Sequence, residues 1–294
     1  MTSQPMGKKI HSKLAIPPFS DRPTNQPESH RVFMPLLLKS SWSHGLTLAC
    51  CCLWSGGAAQ AQQTYTDHFV GDFGGAAYAA SALVKSKDTS VSALPYVYGD
   101  WGRTFARVDT LGIKTLPLAT GHLEGVLRVS QEGFDADTAA LRGVKNRSNP
   151  LPVGVGTFQR TAVGGVFLYA MHDVTSGGTL AEATYAARFE VAGVKLYPQA
   201  GVEYRSSAYV QHLYGVSAQE AAANQAAGGA LTAYHAGSST IPMLGLAATV
   251  PLTGAWALQL QWRHKWMDNA IKASPLVGSV NQNTGFAALT YALK

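Results

Sequence analysis

The sequence predicts an all-β fold, an antiparallel transmembrane β-barrel of about twelve strands, with ten as the nearest alternative count. Three observations predict it. Apolar and polar residues alternate with a period of two over segments of ten or more residues. After residue 61 no apolar run is long enough for a spanning helix, and an export signal precedes the alternating part. Side chains of a strand point alternately to its two faces, so such segments build a wall with one greasy and one wet surface. Hydrocarbon accepts that wall only when the sheet closes on itself.

The export signal sets the boundaries. Leu46 to Trp54 is an apolar stretch too short to cross a bilayer, and Ala59-Gln60-Ala61 follows as a small-residue cleavage site. Residues 34–61 are therefore expected to be a signal peptide, with Lys39 as its basic flank, and residues 62–294 the barrel. Residues 1–33, rich in Pro, Ser and charge, form a polar leader, either disordered or lying upstream of a true start at Met34. Leu48-Ala49-Cys50-Cys51 approaches a lipidation motif, but the cleaner cleavage site lies beyond it. Cys50, Cys51 and Cys52 are the only cysteines, so the exported part has no disulfide framework. The formal charge of +6 also belongs mostly to the leader. Six basic and two acidic residues precede Gln62, leaving 17 basic and 15 acidic residues, net +2, after it. A nucleic-acid partner loses its support with that charge.

The clearest strand is Trp256 to Trp266, where Trp256, Leu258, Leu260, Trp262 and Trp266 alternate with Gln259, Gln261, Arg263 and Lys265. His264 falls on its greasy side. Ala181 to Val191 and Val194 to Arg205 repeat the pattern and are joined by a tight Ala192-Gly193 hairpin. Weaker strands are expected at Phe69–Tyr78, Ser92–Trp101, Thr104–Leu116, His122–Ser130, Leu151–Gln159, Gly165–Asp173, Pro242–Leu252 and Phe286–Leu293. That makes eleven. Outer-membrane barrels keep an even number, so a twelfth is expected, with Ala79–Ser90 and Leu231–Thr240 the least certain regions. The strands exceed the five or six residues usual in soluble sheets, and Trp256, Trp262, Trp266, Tyr204 and Tyr209 are expected near strand ends as interfacial girdles.

Turn lengths give an orientation. Ala192-Gly193 and Thr253-Gly254-Ala255 are short and belong on the periplasmic side; Gly133–Pro150, Tyr214–Gly229 and Met267–Asn283 then face outward. Ala218 to Ala227 has helix propensity behind a Ser217/Glu220 capping box, predicting one short helix in an external loop.

Five blocks along the chain carry a resemblance to a known family. They are Leu94-Pro95-Tyr96-Val97-Tyr98-Gly99-Asp100 with Gly102 and Phe105; Leu141-Arg142-Gly143-Val144-Lys145-Asn146-Arg147; and Asp173-Val174-Thr175-Ser176-Gly177-Gly178. The others are Tyr197-Pro198-Gln199-Ala200-Gly201-Val202, leading to Tyr209 and Tyr214-Gly215-Val216-Ser217, and Ser274-Pro275-Leu276-Val277. Together these blocks resemble the MltA-interacting protein (MipA/OmpV) family of outer-membrane proteins, and the resemblance implies a barrel in the outer membrane of a Gram-negative cell. It also implies a scaffold in peptidoglycan biosynthesis that tethers a murein lytic transglycosylase and a peptidoglycan synthase; the alternatives are a small-solute channel or an adhesin. The chain departs from the usual barrel end: Leu289, Tyr291 and Leu293 keep the outward alternation, but Lys294 follows them.

No catalytic, cofactor or metal site is predicted. His68, His122, His172, His212, His235 and His264 have no fixed-spacing partner, and His172 and Asp173 are adjacent on a strand and so face opposite ways. The chain carries no G-x-S-x-G and no H-E-x-x-H, and Gly71–Gly75 lacks the strand-to-helix setting of a phosphate cradle. Lumen charges are the better place to look. Glu182, Arg188, Glu190, Lys195, Glu203, Arg205, Arg263 and Lys265 should point inward, as an ion-pair network filling the barrel or as a pore lining. A charge on the lipid face would cost about 2–4 kcal/mol near the midplane for Arg or Lys.

Overall fold

The computed structural model describes residues 65–294, and the leader and signal-peptide expectations lie outside them. The first half of the wall is β1 (Phe69–Ala80), β2 (Ser90–Trp101), β3 (Thr104–Arg107), β4 (Thr110–Leu118), β5 (Gly121–Arg128), β6 (Pro152–Thr161) and β7 (Gly164–Asp173). The second is β8 (Thr179–Ala187), β9 (Phe189–Val191), β10 (Val194–Arg205), β11 (Ser239–Pro251), β12 (Trp256–Trp266) and β13 (Asn281–Leu293). Every ladder is antiparallel, and β13 pairs back onto β1 from Gly71↔Leu293 to Ala80↔Thr284, which closes the barrel.

The wall has twelve staves, because β9 is the lower end of β8. The two pair β10 in one continuous register, Gln199↔Ala186 and Leu196↔Phe189, which sets Pro198 opposite Ala187. Ser206 N–H donates to Thr179 O, so by alternation the nitrogen of Pro198 faces the same neighbour. It has no hydrogen to donate, and the ladder lapses there. The single strand expected from Ala181 to Val191 is thus correct in course, with a lapse at Arg188.

The twelfth strand is not in Ala79–Ser90 or Leu231–Thr240, which are largely loop. It lies inside the expected Thr104–Leu116, which is a hairpin of β3 and β4 turning at Val108-Asp109. Arg107 and Thr110 pair directly across the turn. Inward Arg107 and inward Lys114 are seven residues apart, an odd spacing that one unbroken strand cannot point to the same side. Val108 holds φ 58, a value rare for a β-branched residue, and no Gly or Asn marks the turn. At Ala192-Gly193 both residues have positive φ (51 and 79), the geometry of a two-residue hairpin matched to strand twist.

Because β3 is only four residues long, β2 from Ser90 to Tyr96 pairs with β1 alone. Val108 N–H donates to Val97 O, so the Pro95 nitrogen faces this free edge, where a missing donor costs no ladder bond.

Alternation holds around the barrel. Trp256, Leu260, Trp262 and Trp266 are exposed on the outer face of β12, while Ala257 and Gln259 are buried inside. Trp256 stacks edge-on against Tyr291 at 5.2 Å, and His264 against Trp266 at 4.5 Å, one cluster toward each end of the wall. Tyr204 is lipid-facing as expected, and so are Leu289, Tyr291 and Leu293. Tyr209 is not a girdle residue: it lies on a helix and is 1% exposed.

All links at the end of the barrel opposite the termini are the long ones, apart from Val108-Asp109 and residues 174–178. By the rule that short turns and termini lie in the periplasm, they face outward. The external loops carry three α-helices, not one: α1 (Ser207–Tyr214), α2 (Ala218–Ala226) and α3 (Asn269–Lys272), with a turn of 3-10 helix at Ala139–Leu141. The Ser217/Glu220 box caps α2 as predicted.

Candidate functional site

Two layers occupy the barrel axis. The outer layer is a folded cap with an apolar core of Leu141, Val210, Leu213, Tyr214, Ile271 and Leu276, all 4% exposed or less. Its loops are tied to one another in sequence. Lys87 pairs with Asp137, Val84 bridges Val277, the Ser274 hydroxyl donates to Tyr214 O at 2.6 Å, and the Tyr234 hydroxyl donates to Ala270 O at 2.9 Å.

Four of the five family-like blocks fall wholly or partly in this cap, and their residues have visible work. Gly143 holds φ +89 beside α2, where an added Cβ would sit 2.7 Å from the Ala223 carbonyl carbon. Arg147 reaches Glu220 at 2.9 Å and donates to Gly215 O at 2.9 Å. Burial disfavours the Glu220 charge, but hydrogen bonds from Arg147 and from the Ser217 and Lys145 amides outweigh it and hold the carboxyl down at about 2. Asp173 accepts from the Leu151 amide at 2.5 Å and the Ser176 amide at 2.8 Å, fixing the Asp173–Gly178 turn. His172 and Asp173 do face opposite ways, one exposed and one buried.

Below the cap lies the charge layer. Arg205, 2% exposed, pairs with Glu203 on its own strand and with Glu132 of the loop after β5. Lys265 of β12 reaches Glu203 at 3.0 Å, and the Tyr209 hydroxyl donates to Glu132 at 2.9 Å. Two cations and two carboxylates thus join β10, β12, α1 and a loop with zero net charge. A second group joins Arg128 of β5 to Glu182 of β8 at 2.6 Å, a chord across strands that are not neighbours. Arg107 meets Glu124 at 3.3 Å and lies 4.1 Å from the Phe105 ring centroid.

Of the eight expected lumen charges, the structure brings Glu182, Glu203, Arg205 and Lys265 into ion pairs. Arg263 lines the cavity, and Glu190 and Lys195 face each other across the β9–β10 ladder without an ion pair. Arg188 sits at the lapse between β8 and β9. The partners Arg107, Glu124, Arg128 and Glu132 were not expected. Glu124 and Arg128 were legible as same-face charges four apart on β5; Arg107 was hidden by reading β3 and β4 as one strand. Glu132 lies in a loop, where no periodicity speaks. Among the described residues no group of three His, Cys, Asp or Glu could hold a metal.

Between and below the ion pairs the lumen keeps a cavity of about 410 Å³, lined by Tyr96, Tyr98, Tyr169, Tyr197, Gln199 and Gln261 among others.

A closed antiparallel sheet of twelve staves, lipid-facing aromatics and a charged interior define an outer-membrane β-barrel protein. The chain belongs to the family described as MltA-interacting protein MipA, whose model matches residues 73–293. It is 28% identical over 235 residues to outer membrane protein Omp26La of Vibrio anguillarum, covering 78% of this chain and 88% of that one. It is 27% identical over 222 residues to outer membrane protein OmpV of Vibrio cholerae, covering 73% and 83%. Among solved structures, in-vitro folded OmpT of Vibrio cholerae shares 9% identity at a TM-score of 0.28, covering 79% of this chain and all of that one. That likeness is too loose to bear on strand correspondence or function. The protein resides in the outer membrane.

Proposed function

We propose that the protein is a plugged outer-membrane scaffold that tethers peptidoglycan-remodelling enzymes, a murein lytic transglycosylase and a peptidoglycan synthase, and catalyses nothing itself. On this reading residues 34–61 are the signal peptide that exports it. The observation that carries the proposal is the double closure of the axis: ion pairs spanning the lumen lie under a cap with its own apolar core. A barrel closed in this way serves as an anchor more readily than as an open pore. The family description, which names interaction with MltA, supports the partner class.

The channel reading has one observation in its favour, the cavity that survives between the ion pairs. Pull-down from crosslinked envelopes separates the two. Murein enzymes recovered with the barrel support the scaffold. Their absence, together with ion-selective conductance of the purified protein in a planar bilayer, overturns it and favours the channel.

A further inference from the structure

We infer that the lumen contains a binding site for a small organic ammonium ion, centred on Asp72. The inference rests on the cavity and stands or falls independently of the scaffold.

Asp72 is the fourth residue of β1, on its inner face and 2% exposed. Its Oδ1 is buried without a hydrogen-bond donor among the described residues. A buried carboxylate without a partner is costly, and this lumen otherwise avoids that cost. Glu124 and Glu203 are buried there and Glu182 nearly so, and each meets an Arg or Lys nitrogen within 3.3 Å. Asp72 is the exception, and it lines the cavity.

The surroundings suit a cation. Tyr98 is the direct cross-strand neighbour of Asp72, and Tyr96 lies diagonal to it on the same face. Tyr197 comes from β10 and lies within electrostatic reach of both tyrosines. Three tyrosines from two walls thus line the same cavity as the acceptor, side chains of the type that builds a cation–π box. Lys195, also from β10, is within Coulomb range of Asp72 but forms no ion pair with it at 4.0 Å or less. A bound ammonium would take the acceptor that Lys195 leaves open. A metal ion would need several oxygen ligands, and no acidic cluster supplies them among the described residues. The cavity, at about 410 Å³, lies in the range of small-ligand pockets. Asp72, Tyr98 and Tyr197 each lie three residues from the periplasmic ends of their strands.

Titration calorimetry of the folded protein in detergent tests the site, with propylammonium as probe and propionate as the control of opposite charge. Wild type should bind propylammonium and not propionate. Asp72→Asn, with folding checked by heat-modifiable gel mobility, should weaken binding at least tenfold, about 1.4 kcal/mol. Tyr96→Leu should weaken it several-fold, and Lys195→Gln should tighten it by removing a like charge. Equal binding of both probes, no binding by wild type, or unchanged affinity in Asp72→Asn overturns the site. If Asp72→Asn fails to fold, Lys195→Gln decides, and unchanged or weaker affinity in that variant overturns it.

Discussion

Arg205 shows what a single side chain can hold in this lumen. Its guanidinium pairs with both Glu203 and Glu132 while nearly all of its surface is excluded from water, so truncating it leaves Glu132 without a cation among the described residues and Glu203 with Lys265 alone in a low-dielectric site. Breaking a buried pair from one side costs about 3–5 kcal/mol. Arg205→Leu should lower the urea midpoint of the vesicle-reconstituted barrel accordingly, read by tryptophan fluorescence. Glu132→Gln should cost less, because Arg205 keeps Glu203. Glu220 gives a pH-dependent counterpart on the outer surface. Its carboxyl is held at about 2, below its ordinary 4.5, so its stabilisation is complete above the ordinary value and lost as pH falls toward 2. Pepsin should therefore cut the cap increasingly fast between pH 4.5 and pH 2. Glu220→Gln should flatten that dependence, and a Gln variant with the wild-type acid profile would assign the effect to another group.

At the scale of elements, the β3–β4 hairpin is the feature that departs most from a regular wall. Val108 turns the chain in the left-handed region, which costs a non-glycine residue about 1–2 kcal/mol. Glycine removes that strain but loses more backbone entropy on folding, a partial offset of about 0.5–1 kcal/mol. Val108→Gly should therefore raise the thermal midpoint modestly, whereas Leu111→Gly, in regular β4, should lower it. The same residue explains why this hairpin was not legible in the sequence. A two-residue turn without Gly or Asn leaves no compositional mark, and the only trace is the phase change between Arg107 and Lys114. Where turn chemistry is explicit, as at Ala192-Gly193, strand and turn were both legible. Strong alternation in β10 and β12 fixed their course and inward faces. The lapse after Ala187 was predictable only once Pro198 had a partner strand to face.

For the molecule as a whole, the wall obeys periodicity and the cap does not. Facing residues of the wall are set by a repeat of two, so the barrel and half of its lumen charges could be read from the chain. The cap is assembled from four loops by contacts such as Arg147–Glu220 and Ser274–Tyr214, which join positions 60 or more residues apart and leave no local signal beyond the motif blocks themselves. Only α2 announced itself, through its capping box. The family-like blocks therefore encode the lid more than the wall, and the lid should govern what passes. Replacing residues 207–236 with a short Gly-Ser link removes α1 and α2, takes Tyr209 from Glu132 and Glu220 from Arg147, and empties much of the apolar core. The ladders of β10 with β8 and β11 do not depend on that segment, so the variant should still fold into a heat-modifiable barrel. In planar bilayers wild type should stay silent, and the variant should show small steps limited by the Arg128–Glu182 chord. Adding Arg128→Ala to the loop variant should enlarge those steps. Equal conductance from wild type and the loop variant would mean that the cap does not seal the lumen.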